Sequence, residues 1–238
     1  MANVRLFIDH PLSPEQAVPL DAAQAHYLSG VMRMRTGDAL TVFNGRDGAW
    51  RAVIADAGKR GGVLTVQDQT APQQNPPDLW LIFAPIKKAR TDFIVEKATE
   101  LGAARIMPVQ TDHTNSERIR QDRLQAHAVE AAEQCGGTFV PGVDDLMPLS
   151  RLLASWDPAR RILWADEAMA GPAETLAGLA RGPWAILIGP EGGFSAAERA
   201  HLSGLDHVTR ISLGPRILRA DTAAVSALTL WQSALGDW

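Results

Sequence analysis

Cysteine is nearly absent from this sequence, because Cys135 is the only one among 238 residues. A disulfide framework and a zinc site built on cysteines are therefore excluded. We expect a reducing compartment, the cytoplasm, and we expect Cys135 to be a packed thiol on the apolar face of a helix. The six histidines include no His-Glu-x-x-His motif, so the sequence predicts no metal site.

Long apolar runs are also missing from the chain. The longest, residues 79–86, is interrupted by Pro85 and is far shorter than the roughly 20 residues that span a bilayer. The first residues reach Asp9 before any apolar run of secretory length. The sequence therefore predicts neither a membrane segment nor a signal peptide.

An excess of positive charge is lacking as well. Lys and Arg number 23 against 27 Asp and Glu, which gives a formal net charge of -4 at pH 7. This balance excludes a protein that coats nucleic acid nonspecifically, but it allows a local site made of a few arginines. The hydrophobic share of 46% with 21% charged residues is typical of an ordinary globular protein.

The first 70 residues show a pattern of short strands. Segments rich in β-branched or aromatic residues lie at 4–9, 39–43, 50–54 and 63–67, and turn residues separate them. One helix is predicted over 21–32, with Asp21 as its N-cap. We predict a small β-barrel domain in residues 1–70. Residues 71–77 contain three prolines and no large aliphatic side chain, and we interpret them as a linker.

Strands and helices alternate in residues 78–238. The predicted strands are 79–84, 105–109, 139–143, 161–165, 184–188 and 208–213, and the predicted helices are 91–101, 122–135, 149–156, 173–181, 196–203 and 221–235. Such an alternation is typical of a largely parallel sheet that is covered by helices on both faces. We therefore predict a second, α/β domain.

A glycine-rich loop follows the predicted strand 184–188. It reads Gly189-Pro190-Glu191-Gly192-Gly193, and Ser195 with Glu198 then forms a capping box that begins a helix. Ligands bind at the carboxyl ends of parallel strands, and glycines let a backbone approach a ligand closely. The alternative is a tight strand-to-helix turn without a ligand. The loop matches neither the dinucleotide fingerprint nor a P-loop.

A second unusual connection follows the predicted strand 208–213. It reads Gly214-Pro215-Arg216-Ile217-Leu218-Arg219, and Asp221 or Thr222 is predicted to cap the last helix. Two apolar residues in such a connection are either plugs of the core or walls of a pocket. The flanking arginines favour the pocket.

These two connections carry a resemblance to a known family. Gly189-Pro-Glu-Gly-Gly193 and Leu213-Gly-Pro-Arg-Ile-Leu-Arg219-Ala-Asp-Thr-Ala223 resemble the RsmE family of 16S rRNA (uracil-N3)-methyltransferases, members of the SPOUT class. Similar runs at 32–38, 95–102 and 130–134 extend the resemblance over nearly the whole chain. The chain departs from the family pattern at Asp221, Cys135 and Gly137, where glutamate, serine and arginine are usual.

The resemblance implies a fold, a reaction and partners. The fold would be a PUA-like β-barrel followed by a SPOUT-type parallel sheet with a C-terminal trefoil knot. S-adenosylmethionine would be the methyl donor, and the substrate would be a uridine in the decoding region of 16S rRNA, within the small ribosomal subunit. The protein would act as a homodimer. The cofactor would be held by Ile188, Gly189, Pro190, Gly192, Leu213, Gly214, Ile217, Leu218 and Arg219.

The methylation that the resemblance implies requires a base or a cation that stabilises negative charge, and Arg219 lies beside the implied cofactor wall. Uracil N3 is a poor nucleophile until its proton leaves, and the resulting negative charge spreads over the flanking carbonyl oxygens. Arg219 is our candidate for stabilising that charge, and its alternative role is a structural ion pair or a phosphate anchor. Candidate bases are Glu191, Glu133 and Asp221, which the sequence does not distinguish.

Local cations must supply any RNA contact. Residues 1–70 hold seven basic and seven acidic residues, so the first domain has no net charge. We predict RNA binding by Arg33, Arg35, Lys87 and Arg90; the alternative is an ordinary solvated surface.

Two functions of other classes remain open at this point. A non-catalytic RNA-binding or ribosome-assembly protein would keep the fold without the reaction. A dinucleotide-dependent oxidoreductase is disfavoured, because the fingerprint and its acidic partner are missing.

Overall fold

The computed structural model describes residues 4–58, 61–115, 118–166, 168, 176 and 178–238. The chain divides into two compact units, one of Met1–Asn75 with Ala132–Phe139 and one of Pro76–Ala131 with Val140–Trp238. The predicted bounds at 1–70, 71–77 and 78–238 stay a prediction. The structure adds that the first unit also includes residues 132–139, which come from a later part of the chain.

The first unit is built on a five-stranded sheet. Its strands pair in the order β1-β3-β4-β5-β2, and only β1 and β3 are parallel. Its elements are β1 (Arg5–Phe7), β2 (Ala17–Leu20), α1 (Ala22–His26), β3 (Ala39–Phe43), β4 (Ala49–Ala57) and β5 (Gly62–Ala71). The four predicted strands are confirmed, whereas β2 was not predicted. Because β2 is an edge strand, its Pro19 removes no hydrogen bond that a second neighbour would need.

The predicted helix 21–32 is only partly α-helical. Asp21 caps α1 as predicted, since its side chain accepts a hydrogen bond from the backbone N–H of Gln24. The helix then continues as a π-helix over Tyr27–Val31. The chain leaves it through Arg33, whose φ of 56° lies in the left-handed region that a residue with a Cβ rarely adopts.

The second unit has the predicted alternation of strands and helices. All its strand pairs are parallel, in the order β12-β10-β11-β6-β7-β8, and β9 also pairs with β7. Its elements are β6 (Leu79–Phe83), α2 (Lys88–Glu100), β7 (Arg105–Gln110), α3 (Gln121–Cys135), β8 (Gly142–Val143), β9 (Met147–Pro148), α4 (Leu149–Ala154), β10 (Arg161–Ala165), β11 (Trp184–Ile188), α5 (Ala196–Ser203), β12 (Val208–Ile211) and α6 (Ala220–Leu235). The last four residues of α3 belong to the first unit.

Both faces of the parallel sheet are buried. Along β11, Ile186 packs in one apolar cluster with residues of α2 and α6, and Leu187 packs in another with residues of α4 and α5. Successive side chains of a strand point to opposite faces, so one strand supplies both cores. The expected parallel sheet with helices on both faces is confirmed, and the trefoil knot stays a prediction.

Some sequence-based expectations were wrong or lie outside the described residues. Cys135 is exposed, because it is the last residue of α3, where the helix ends before Gly136. Of the predicted helix 173–181, residues 173–175 and 177 lie outside the described residues, and the prediction is wrong for residues 176 and 178–181, which are not helical. No helix in the described part of the chain is long and apolar enough to cross a membrane.

Candidate functional site

A pocket of about 320 Å³ lies beyond the carboxyl ends of β10, β11 and β12. The glycine-rich loop after β11 and the connection between β12 and α6 form most of its wall. Its lining is Ala165, Asp166, Ile188, Gly189, Pro190, Glu191, Leu213, Gly214, Arg216, Ile217, Leu218, Arg219, Ala220 and Ala223. The structure therefore joins the two connections that the sequence singled out.

Eight of the nine predicted cofactor-binding residues line this pocket. They are Ile188, Gly189, Pro190, Leu213, Gly214, Ile217, Leu218 and Arg219. Gly192 does not line it; its carbonyl oxygen lies 3.0 Å from Nδ1 of His113. Cofactor binding by these residues stays a prediction.

The glycine-rich loop leaves no room for a side chain at Gly189. A Cβ at this position would lie 2.6 Å from Cε2 of Phe194. The Phe194 ring is buried and packs edge-on against Trp164, with 5.5 Å between the ring centroids. The helix after the loop begins as predicted, since the Ser195 hydroxyl accepts from the N–H of Glu198 and the Glu198 side chain accepts from the N–H of Ser195. The pocket wall at Gly189 is thus backbone.

The connection between β12 and α6 presents an apolar side chain and a cation. Ile217 is 80% exposed although it lines the pocket, so an apolar ligand would cover it. Arg219 is the N-cap residue of α6; it is exposed and forms no ion pair with any described residue. The prediction that Asp221 or Thr222 caps α6 is wrong, because the helix begins at Ala220 and both residues lie in its first turn.

The acidic residue Asp166 at the end of β10 was not predicted. Its side chain is fully buried at the pocket, and it forms ion pairs with Arg199 of α5 and Arg210 of β12. Oδ1 also accepts a hydrogen bond of 3.0 Å from the N–H of Ala168. The available signal was its position directly after a predicted strand that neighbours β11.

Arg90 of α2 connects two of the three candidate bases. Its Nη1 lies 2.5 Å from Oε1 of Glu191, and its Nε lies 3.7 Å from Oδ2 of Asp221. Glu191 lines the pocket, and Asp221 lies in the first turn of α6. The predicted RNA-binding residue Arg90 is therefore an ion-paired side chain at the pocket's edge.

The third candidate base, Glu133, has partners within the first unit. Its Oε1 accepts a hydrogen bond of 2.8 Å from the backbone N–H of Phe7. Burial, and after it the negative charge of Glu133, raise the pKa of the Tyr27 hydroxyl. Glu133 does not line the pocket of the second unit.

The other predicted RNA-binding residues are exposed cations. Arg33 and Arg35 follow the π-helix of the first unit, and Lys87 is the N-cap residue of α2. Their RNA contacts stay a prediction. Within the described ranges, no three or more His, Cys, Asp and Glu side chains are grouped so as to hold a metal ion.

Family models match both parts of the chain. A model described as an RNA methyltransferase domain matches residues 73–232. A model described as an RNA methyltransferase PUA domain matches residues 20–67. The expectation of a PUA-like first domain is thereby confirmed.

Sequence alignments with named relatives extend over nearly the whole chain. The ribosomal RNA small subunit methyltransferase E of Synechocystis is 32% identical over 91% of this chain and 74% of that protein. The protein of the same name from Rickettsia conorii is 29% identical over 94% of this chain and 93% of that protein.

Solved structures show the same fold. The ribosomal RNA small subunit methyltransferase E of Neisseria gonorrhoeae, solved with S-adenosyl methionine bound, superposes with a TM-score of 0.89 at 25% identity over 99% of both chains. A methyltransferase of Legionella pneumophila, solved with SAM bound, gives a TM-score of 0.89 at 27% identity over 100% of both chains. The chain therefore belongs to the RNA methyltransferase family that includes the ribosomal RNA small subunit methyltransferases E.

Proposed function

We propose that this protein transfers a methyl group from S-adenosylmethionine to N3 of one uridine in the decoding region of 16S rRNA. The observation that carries the proposal is the pocket that the glycine-rich loop and the 213–219 connection form together, in a chain of the RNA methyltransferase family. The names of the relatives support 16S rRNA as the substrate.

The pocket has the size and chemistry that S-adenosylmethionine needs. Its volume of about 320 Å³ lies at the lower end of the roughly 300–1,000 Å³ range that is usual for small-molecule sites. Ile217 and Leu218 offer apolar surface to an adenine ring, and the backbone at Gly189 offers polar groups without a side chain in the way. When bound, S-adenosylmethionine supplies an electrophilic methyl group on a positively charged sulfur.

Arg219 is suited to stabilise negative charge on uracil. It lines the pocket and is exposed, and no described carboxylate pairs with it. A guanidinium without a protein partner is available for the carbonyl oxygens of a uracil that has lost its N3 proton. We therefore assign charge stabilisation to Arg219.

Glu191 is the candidate base that the geometry favours. It lines the pocket, whereas neither Asp221 nor Glu133 does. Its carboxylate is 41% exposed, so a substrate can approach it. A base must lie within hydrogen-bond reach of the proton that it removes, and this requirement favours a residue at the pocket.

The first unit offers a surface for RNA. Arg33 and Arg35 are exposed beside a π-helix whose Val31 is also exposed, and Arg33 has a strained backbone. Strained residues and π-helices are concentrated at functional sites. In the second unit, Lys87 lies beside a pocket of about 200 Å³ whose lining includes Lys88 and Arg118. We propose these cations as contacts to RNA phosphates.

The working form that we propose is a cytoplasmic homodimer that acts on rRNA within the small ribosomal subunit. Phe93 of α2 and Leu230 of α6 are large apolar side chains that remain exposed in a single chain. Contact with a second copy would cover them. Because the protein is acidic and offers few cations for RNA binding, the shape of a structured ribosomal particle would contribute to recognition.

Mass spectrometry of 16S rRNA from a strain that lacks this protein tests the proposal. We expect one methyl group to disappear from a single uridine and to return when the gene is supplied again. Complementation with an Arg219→Ala variant should restore much less of it. If every rRNA methyl group persists in the deletion strain, the proposed reaction is wrong and a non-catalytic role in ribosome assembly is favoured.

A further inference from the structure

We propose that Arg90 is a positioning residue of the cofactor pocket. This inference rests on the proposed function and replaces the RNA contact that the sequence predicts for Arg90. The observation behind it is that one guanidinium lies against carboxylates from both segments that build the pocket, Glu191 of the glycine-rich loop and Asp221 of α6.

The two carboxylates differ in how else they are held. Asp221 belongs to α6, whose buried face, including Ala224 and Leu228, packs in the same apolar cluster as Ile94 and Val95 of α2. Its place is therefore fixed by the core. Glu191 lies in a loop, and Arg90 is its only side-chain partner among the described residues.

Arg90 thereby connects the loop to the core. Arg90 is the third residue of α2. Its side chain is 30% exposed, and the side chains of Glu191 and Asp221 are 41% and 19% exposed. Ion pairs of this kind restrict a loop more than fully exposed pairs do, because solvent screens them less. The pair with Glu191 holds the loop, and the pair with Asp221 orients the guanidinium.

The same geometry argues against an RNA contact. A phosphate would have to displace a carboxylate that already lies 2.5 Å from Nη1. The exposed neighbours Lys87 and Lys88 have no ion-pair partner among the described residues. An RNA phosphate would meet these two lysines at lower cost in free energy.

Calorimetric titration separates positioning from simple electrostatics. S-adenosylmethionine carries a positive sulfur, and S-adenosylhomocysteine is the uncharged thioether. A residue that positions the loop affects the binding of both compounds equally, so Arg90→Ala should weaken the affinity for each of them by up to about fivefold. A residue that acts only through its charge would change the ratio of the two affinities, because its removal exposes two carboxylates that attract the positive sulfur.

Three further variants sharpen the test. Arg90→Lys should recover part of the affinity, and the Arg90→Ala/Glu191→Gln double variant should bind no more weakly than Arg90→Ala, because both remove the same ion pair. Lys97→Ala is the matched control: Lys97 is on the same helix, is 32% exposed and pairs with Glu100 at 2.6 Å. Its cofactor affinity should equal that of the wild type.

The outcomes that overturn the proposal are distinct. If Arg90→Ala binds both compounds as the wild type does, Arg90 does not position the pocket, and a loss of RNA affinity in that variant would return it to the RNA-binding set. A changed ratio of the two affinities would mean that Arg90 acts through its charge and does not position the loop. If the wild type binds neither compound, the proposed function fails, and this proposal fails with it.

Discussion

The two units of the chain use their sheets in different ways. In the second unit every strand pair is parallel, so the loops after β10, β11 and β12 come together at one edge and form a pocket of about 320 Å³. In the first unit the sheet is mostly antiparallel, and the cavity beneath Leu28 and Ile54 has only about 10 Å³. Parallel pairing collects successive loops at one edge, and antiparallel pairing distributes them over two.

This difference suggests a division of labour. The second unit would bind the cofactor and the target uracil, and the first unit would contribute exposed cations that bind RNA. Changes in the second unit should then alter cofactor binding, turnover or the stability of the pocket. Removal of the exposed cations Arg33 and Arg35 in the first unit should alter RNA affinity and leave cofactor binding unchanged.

The largest effect on stability is expected at the buried carboxylate of the second unit. Asp166→Ala leaves the partly exposed Arg199 and Arg210 without their shared carboxylate, and loss of its charged hydrogen bonds should lower the free energy of unfolding by about 2–3 kcal/mol. Urea unfolding measures the loss. Asp9→Ala, which removes an exposed pair with Arg46 in the first unit, should change little. If Asp166→Ala and Asp9→Ala lower the free energy of unfolding equally, the expected difference between the two units is wrong.

Arg219 should affect the rate of methylation more than cofactor binding. Loss of a group that stabilises charge in the transition state lowers turnover by about 100-fold. Single-turnover methylation of small ribosomal subunits measures the rate of the Arg219→Ala variant. Calorimetry with S-adenosylhomocysteine measures the cofactor affinity of the same variant. The control is Arg151→Ala, an exposed arginine on α4. A rate within about twofold of the wild type would refute the role of Arg219.

Gly189→Ala should weaken cofactor binding by about tenfold or more. The new Cβ would meet the buried Phe194 ring, so either the ring or the loop must shift. Gly142→Ala, in the same unit, is the matched control, because no heavy atom lies within 4 Å of the added Cβ. Calorimetry with S-adenosylmethionine compares the two. Unchanged affinity in Gly189→Ala would mean that the loop does not form the wall.

Replacement of both Arg33 and Arg35 by alanine tests the first unit. We expect RNA affinity to fall by several-fold to about tenfold, and the salt dependence of binding to decrease, because each phosphate contact contributes to that slope. Cofactor affinity should stay at the wild-type value. Filter binding to small-subunit RNA at several salt concentrations measures both quantities. If cofactor affinity falls while RNA affinity does not, the assignment of the two units is reversed.

The smallest expected effect is a pH dependence of the free energy of unfolding, which arises from Asp47 in the first unit. The Asp47 carboxylate accepts hydrogen bonds from the Leu12 N–H at 2.9 Å and from Nδ2 of Asn44 at 2.6 Å, and these bonds lower its pKa. The stability that they contribute is therefore present above the unfolded pKa of about 3.9 and is lost as the pH falls through the lower pKa of the folded state. Urea unfolding of Asp47→Asn should show a small destabilisation at pH 7 that vanishes at acidic pH. A difference independent of pH would contradict this.

The sequence was sufficient to predict the parallel sheet and most of the pocket wall. Strand 184–188, its glycine-rich loop and the connection after β12 follow local rules of strand period, turn residues and helix capping. The pattern did not reveal that Arg90, Glu191 and Asp221 meet, because they lie on three separate elements. It also missed Asp166, since a single acidic residue after a strand is ordinary until its two arginine partners are known.

Other errors have equally local causes. The helix 21–32 was predicted as one α-helix because apolar spacing does not distinguish an α-helix from a π-helix over a single turn. Cys135 was placed in the core by its helical spacing, but α3 ends at this residue and leaves the thiol exposed. Such spacing rules hold within elements and fail at their ends.

A crystal structure of the protein with S-adenosylmethionine or S-adenosylhomocysteine tests the central claim most directly. We predict that the compound lies between the backbone of residues 188–191 and the 213–219 connection, with Ile217 covered and Arg219 left free to face the substrate. Density for the compound at any other place, or none at saturating concentration, would contradict the account.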